Sequence, residues 1–268
     1  MIVKAVSAIA AGIGLAALAW ILVVVLGHGA AALNWEFFTA MPSPPGGTGG
    51  GLANAIVGTL LMTLLACVIG VPVGILTGVY LAEFGKGNRF ATAVRFLVNV
   101  MMGIPSIIIG LFVYTILVVP AGHFSGWAGG VALALLIVPV VARTTEDMLA
   151  LVPNPLRESA LALGVPHWRS TLQIVFRAAK TGLLTGILLA VARVSGETAP
   201  LLFTALNSPY MPRSLSGPTG NLTVTIYNYA MSPYPNWQQT AWGASFLITI
   251  GVLALTIVSR ALVREKVR

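Results

Sequence analysis

Residues 149–180 read LALVPNPLRESALALGVPHWRSTLQIVFRAAK, a basic, proline-punctuated segment set between two strongly apolar runs. Pro155 stands where a first helical turn tolerates its missing N–H, and Leu156 to Leu163 contains good helix formers. Gly164 then ends that helix, and Pro166 stops it from continuing, so a second short helix begins near His167. The spacing predicts a compact helix–turn–helix. An ordinary amphipathic connector fits the same residues on physical grounds alone.

Both flanks of this segment are long enough to cross a bilayer, which takes about 20 mostly apolar residues. Six stretches qualify: 5–27, 52–82, 92–119, 126–148, 181–205 and 241–262. The second exceeds a simple span and holds Pro72, which predicts a kink or a tilt. Gly70, Gly74 and Gly78 recur every fourth residue along it, a small-residue face that lets helix backbones approach. Chance is the competing reading in a chain with 29 glycines.

Composition agrees. Of the 268 residues, 57% are hydrophobic and 8% charged, against about 25% charged in a soluble domain. The net charge of +8 would suggest nucleic acid as the partner of a soluble protein. Here the basic residues fall in short connections and read as topology signals facing a lipid bilayer, not nucleic acid. Lys4, then Lys86, Arg89 and Arg95, then Arg157, Arg169, Arg177 and Lys180, then Arg260, Arg264, Lys266 and Arg268 share one side, with Arg143 near it. The other side holds Arg213. The expectation is an all-α membrane protein with six transmembrane helices and both termini cytoplasmic. The run 5–27 behind Lys4 outlasts the ~7–15 residues of a signal-peptide core and reads as an uncleaved first helix.

Little points to bound metals or cofactors. Cys67 can form no internal disulfide and reads as a packed thiol. His28, His123 and His167 lie in three different connections, so no metal site is expected. The loop 42–51 is rich in Pro and Gly but lacks the Gly-Lys-Ser/Thr ending of a P-loop, and it reads as a flexible linker. The chain accordingly divides into residues 1–51 (first helix and loop), a five-helix core over 52–262 with the connection 150–180, and a tail over 263–268. Asn221-Leu222-Thr223 matches a glycosylation acceptor, a weak three-residue signal.

Two charges stand out. Arg193 and Glu197 lie inside the run 181–205, where a charge costs ~2.5–3.5 kcal/mol on insertion scales. Their i,i+4 spacing predicts one shared helix face, used either for a mutual ion pair or for a wet path. Gly196 and Pro200 flank the glutamate and predict a kink with freed backbone groups. A guanidinium offers paired donors that match phosphate oxygens, and Arg143 could supply a second one. Beside Glu146 and Asp147, Arg143 also reads as a topology or salt-bridge residue.

The order Glu158-Ser159-Ala160, three residues, Gly164, nine residues, Ile174 resembles the signature loop of permease subunits of binding-protein-dependent ABC importers. That loop reads Glu-Ala-Ala, three residues, Gly, nine residues, Ile, one residue, Leu-Pro. Ser159 departs from it, and Phe176-Arg177 replaces Leu-Pro. The stretches AVARVSGETAPLLFTA (190–205) and ARTTEDM (142–148) are similar to phosphate permeases of the PstA type. The resemblance implies the type I ABC importer permease fold. It implies a coupling helix at Glu158, Ser159, Ala160, Gly164 and Ile174 seated in an ATPase subunit, and Arg143 and Arg193 tied to phosphate passage beside Glu197. It also implies a pair of ATP-binding subunits, a second, PstC-like permease and an external phosphate-binding protein. That protein would dock near the aromatic loop of about 206–240, whose Tyr210, Tyr227, Tyr229, Tyr234 and Trp237, with Trp242 just beyond it, otherwise read as an interface belt. The chain has no Walker A sequence of its own, so it reads as a transport subunit and not an enzyme. Competing readings are a permease for sulfate or molybdate and an ion-coupled secondary transporter.

Overall fold

A computed structural model describes residues 2–264, and all of its secondary structure is helical. The tail expected over 263–268 lies largely outside the described residues. Helix α1 (Ile2–Ala30) is apolar over most of its surface and largely exposed up to Gly29, which is buried. It touches the rest of the chain at its end, where His28 stacks on Trp242 at 5.0 Å. After the short α2 (Trp35–Thr39), capped by Asn34 Oδ1 accepting from the Phe37 amide at 2.7 Å, comes α3 (Ala53–Val79). It continues into a π-helical turn, Tyr80–Phe84.

α4 (Arg89–Gly103) and α5 (Ser106–Val113) follow, then a π-helical turn over Tyr114–Val118 and the single turn α6 (Val119–Ala121). α7 (Gly126–Ala150), started by Ser125, is the most buried of the long helices and forms the centre of the bundle. The 149–180 segment folds as α8 (Asn154–Ala162), α9 (His167–Ser170) and a π-helical turn, Thr171–Val175, that leads into α10 (Phe176–Val194). α11 (Ala199–Thr204), α12 (Leu222–Ala230) and the long α13 (Pro235–Arg264) complete the order.

The glycine face of α3 is used. Gly70, Gly74 and Gly78 are all buried against α7. A Cβ on Gly78 would lie 2.5 Å from both the Ala142 carbonyl oxygen and Thr145 Cβ. Because one obstacle is helix backbone, Gly78→Val is expected to destabilise the bundle by about 3 kcal/mol through overpacking. Thermal unfolding in detergent measures this, and Gly12→Val, which meets no atom within 4 Å, should leave the midpoint unchanged.

Three expectations change. The span expected as one run over 92–119 bends by 105° between Gly103 and Ser106. Pro105 supplies no N–H and biases Ile104 away from the helical region; Ile104 sits at ψ 129°. Counted as one span, the bent pair brings the number of apolar spans to six. The span expected over 181–205 runs instead as His167–Val194, with α11 separate from it. The loop 42–51 is fastened on both sides: Trp237 Nε1 donates to Ser43 O at 3.2 Å, Asn236 Nδ2 to Gly47 O at 2.5 Å, and the Gly50 amide to Glu36 Oε1 at 2.9 Å. These bonds replace the expected free linker with an ordered loop beneath the aromatic segment. There Tyr229 and Trp237 stack at 4.4 Å, and burial raises the Tyr229 phenol above its ordinary pKa.

Candidate functional site

Two prolines break two helices at the same place. Pro105 separates α4 from α5. Pro200 cannot sit within a continuing α10, because its ring would strike the carbonyl four residues back and it offers no N–H. The chain after Val194 therefore tightens, with the Gly196 amide donating to Arg193 O at 3.3 Å and the Glu197 amide to Val194 O at 3.1 Å. Glu197 lies outside α10, in the non-helical link to α11. This corrects the expectation that Arg193 and Glu197 share a helix face. Neither side chain pairs with the other, nor with any other group among the described residues.

The two breaks meet at a cavity of about 140 Å³ whose lining includes Met102, Pro105, Ser106, Pro139, Arg193 and Glu197. That space holds several waters or a small hydrated ion. Ser106 and Ile107 begin α5, and the first amides of a helix are donors without intrahelical partners at the positive end of its dipole. The cavity thus combines a guanidinium, a helix start and one carboxylate among apolar walls. Sequence reading missed Pro105 and Ser106; the Pro-Ser pair inside an apolar run was the available signal.

Glu197 is held from behind. Its carbonyl accepts from Thr223 Oγ1 at 2.8 Å, and Thr223 Oγ1 also approaches Asn221 Oδ1 at 3.1 Å. Asn221 is fully buried, caps α12 and donates through Nδ2 to Leu206 O at 3.1 Å. A buried, engaged amide is no glycosylation acceptor, which disposes of that motif match.

Arg143 follows Pro139 by four positions on α7, so it lies about one helical turn from the cavity along the same face. Its Nε reaches Asp147 Oδ2 at 3.1 Å and its Nη1 reaches Glu146 Oε2 at 3.8 Å. Glu146 also receives Arg95 Nε at 2.5 Å, while Arg95 Nη2 donates to Leu81 O at 2.7 Å. Arg143 therefore has the carboxylate partners that its salt-bridge reading requires. Arg95, read from sequence as a topology signal, belongs to the same network.

The helix–turn–helix forms as the spacing predicts. Gly164 adopts φ +77°, and the Val165 amide donates to Ala160 O at 3.1 Å, closing α8 with a left-handed cap. Ala160 is buried; Glu158 and Ser159 are exposed, and Ser159 Oγ donates to Pro155 O at 2.7 Å. Ile174 is half-buried in the π-helical turn, and Phe176-Arg177, which stand in place of the Leu-Pro pair, begin α10 directly after it. Around the cap, Leu163 is 83% and Trp168 60% exposed.

Residues 70–265 match the family described as the binding-protein-dependent transport system inner membrane component. The chain belongs to this family. It is 51% identical over 253 residues to the phosphate transport system permease protein PstA of Yersinia pestis, covering 94% of this chain and 86% of the relative. A probable phosphate transport system permease protein PstA of Methanocaldococcus jannaschii is 41% identical over 193 residues, covering 71% of this chain and 68% of the relative. Among solved structures, an inward-facing MetNI methionine ABC transporter chain superposes with a TM-score of 0.66 at 24% identity, covering 80% of this chain and 95% of that one. An amino acid ABC transporter superposes at 0.60 and 18% identity, covering 80% and 92%. The resemblance read from the signature loop is borne out, as is the all-helical fold of the type I ABC importer permeases. The protein is a multi-pass membrane permease.

Proposed function

We propose that this permease is the transmembrane subunit of an ATP-driven phosphate importer, set in the inner or plasma membrane with both termini cytoplasmic. The observation that carries the reading is the meeting of two proline-broken helices at a small cavity, which presents Arg193 without a partner next to the start of α5 and Glu197. Relatives named as phosphate permeases match nearly the whole chain. An oxyanion in this cavity receives paired N–H donors from Arg193 and backbone donors from the first turn of α5. Glu197 accepts a hydrogen bond from a P–OH group of hydrogen phosphate, and its charge keeps the anion from binding too tightly to leave. Arg143, about a turn further along α7, receives it next in exchange for Glu146 and Asp147.

Arg193 is exposed at the edge of this chain, so one permease supplies half of the path and a second, PstC-like permease supplies the facing half. The segment around Glu158, Ser159, Ala160, Gly164 and Ile174 acts as the coupling loop and seats in one of a pair of ATP-binding subunits; the exposed Leu163 and Trp168 supply apolar contact there. An external phosphate-binding protein docks at the opposite end, over the loop 42–51 and the aromatic segment 206–240. The five-helix core over 52–262 carries the path, and residues 1–51 add a peripheral helix.

The reconstituted complex tests this through uptake of labelled phosphate and labelled sulfate. Phosphate uptake that stops on ATP depletion and survives an uncoupler is the expected result. Preferential sulfate or molybdate uptake, or collapse with the uncoupler alone, would replace the reading. Glu197→Gln should raise sulfate uptake relative to phosphate several-fold, because sulfate offers no proton to a carboxylate and is repelled by its charge. Competition between the two labelled anions checks this ratio.

A further inference from the structure

Glu83 and Arg157 stand 74 residues apart in sequence and form the least exposed ion pair among the described residues, with side chains 2% and 14% exposed. Glu83 lies in the π-helical turn that ends the second span, and Arg157 lies in α8, one residue before Glu158. Arg157 Nη2 reaches Glu83 Oε1 at 2.7 Å, and its Nε reaches Oε1 at 3.1 Å and Oε2 at 3.3 Å. The same guanidinium donates to Leu149 O at 2.7 Å and to Val152 O. Leu149 is in the last turn of α7, where a helix end leaves acceptors without intrahelical donors, and Val152 lies just past that end. One side chain therefore ties α8 to the ends of both α3 and α7.

α3 and α7 are in turn locked together through Gly70, Gly74 and Gly78. α7 also carries Pro139 at the cavity, four positions before Arg143. The connection from α8 to the cavity thus runs through the charge-assisted hydrogen bonds of Arg157 and through close helix packing. A planar guanidinium suits this place because it serves four acceptors at once in fixed directions.

We propose that Arg157 and Glu83 form the strut that converts displacement of α8 into movement of α3 and α7, which makes Arg157 a positioning residue for transport and not only a fold-stabilising one. The proposal rests on the reading of α8 as the part gripped by an ATP-binding subunit.

The test uses the complete complex in proteoliposomes with its binding protein, and it reads phosphate imported per ATP hydrolysed together with co-purification of the ATP-binding subunit. Arg157→Lys keeps the charge but cannot serve all four acceptors. The double variant Glu83→Leu/Arg157→Met removes both charges together, so that neither is left buried alone. Both are expected to assemble and to hydrolyse ATP, with phosphate imported per ATP at least tenfold lower. An unchanged ratio in the double variant overturns the strut, as does failure of both variants to assemble, which would make the pair purely structural. Failure of the unsubstituted permease to bind an ATP-binding subunit would instead overturn the coupling-loop reading beneath it.

Discussion

Arg193→Gln is expected to abolish phosphate uptake while leaving the permease folded, inserted and assembled. Arg193 is exposed and engages no other group among the described residues, so its removal strands no buried partner. The alternative reading, an ion pair with Glu197 that locks the bundle, would make the same substitution a folding defect; the break after Val194 removes the geometry for such a lock. Removing one side of a desolvated, hydrogen-bonded charge pair costs about 2–5 kcal/mol, hence at least about 30-fold in uptake rate. Arg193→Lys keeps the charge and loses the paired donors, so it should recover only part of that loss. Initial rates of labelled phosphate uptake, normalised to complex recovered from the membrane, measure both. Normal uptake by the glutamine variant would sink the assignment.

The second large effect is expected at the other end of the path. Leu163→Asp should cut association with the ATP-binding subunit by at least about 30-fold without altering the stability of the permease. Leu163 is 83% exposed, so the folded chain loses almost no packing when it changes. In a docked complex it becomes a buried apolar contact, and taking a leucine side chain fully out of water contributes about 2 kcal/mol. Replacing it by a carboxylate adds the cost of burying an unpaired charge. Co-purification of tagged subunits, with thermal unfolding of the permease alone as control, separates docking from folding. Full retention of the ATP-binding subunit would show that this surface faces something else.

Different parts of the molecule were legible to different degrees. The apolar runs gave the number of spans once the bent pair is counted as one. The glycine spacing on α3 identified a contact face, although its partner α7 could not be named from the spacing. The helix–turn–helix was legible because its cap depends on Gly164 and its neighbours alone. The i,i+4 spacing of Arg193 and Glu197 does not give a shared helix face, because periodicity assumes that the helix continues and the break before Pro200 ends it. Arg95 and Arg157 look like topology signals in the sequence, because a basic residue near a span end looks the same whether it faces water or a buried carboxylate.

The helical membrane class and the local stops are written in the order of the residues. A long apolar run in lipid must satisfy every backbone group internally, and a left-handed cap or a proline break acts within a few residues. Which stops meet depends on long-range packing. Ser106, Arg193 and Glu197 share one cavity, and Arg157 reaches Glu83 across 74 positions. Both arrangements follow from how α3, α5, α7 and α10 pack, and packing between distant segments leaves no period in the chain to read.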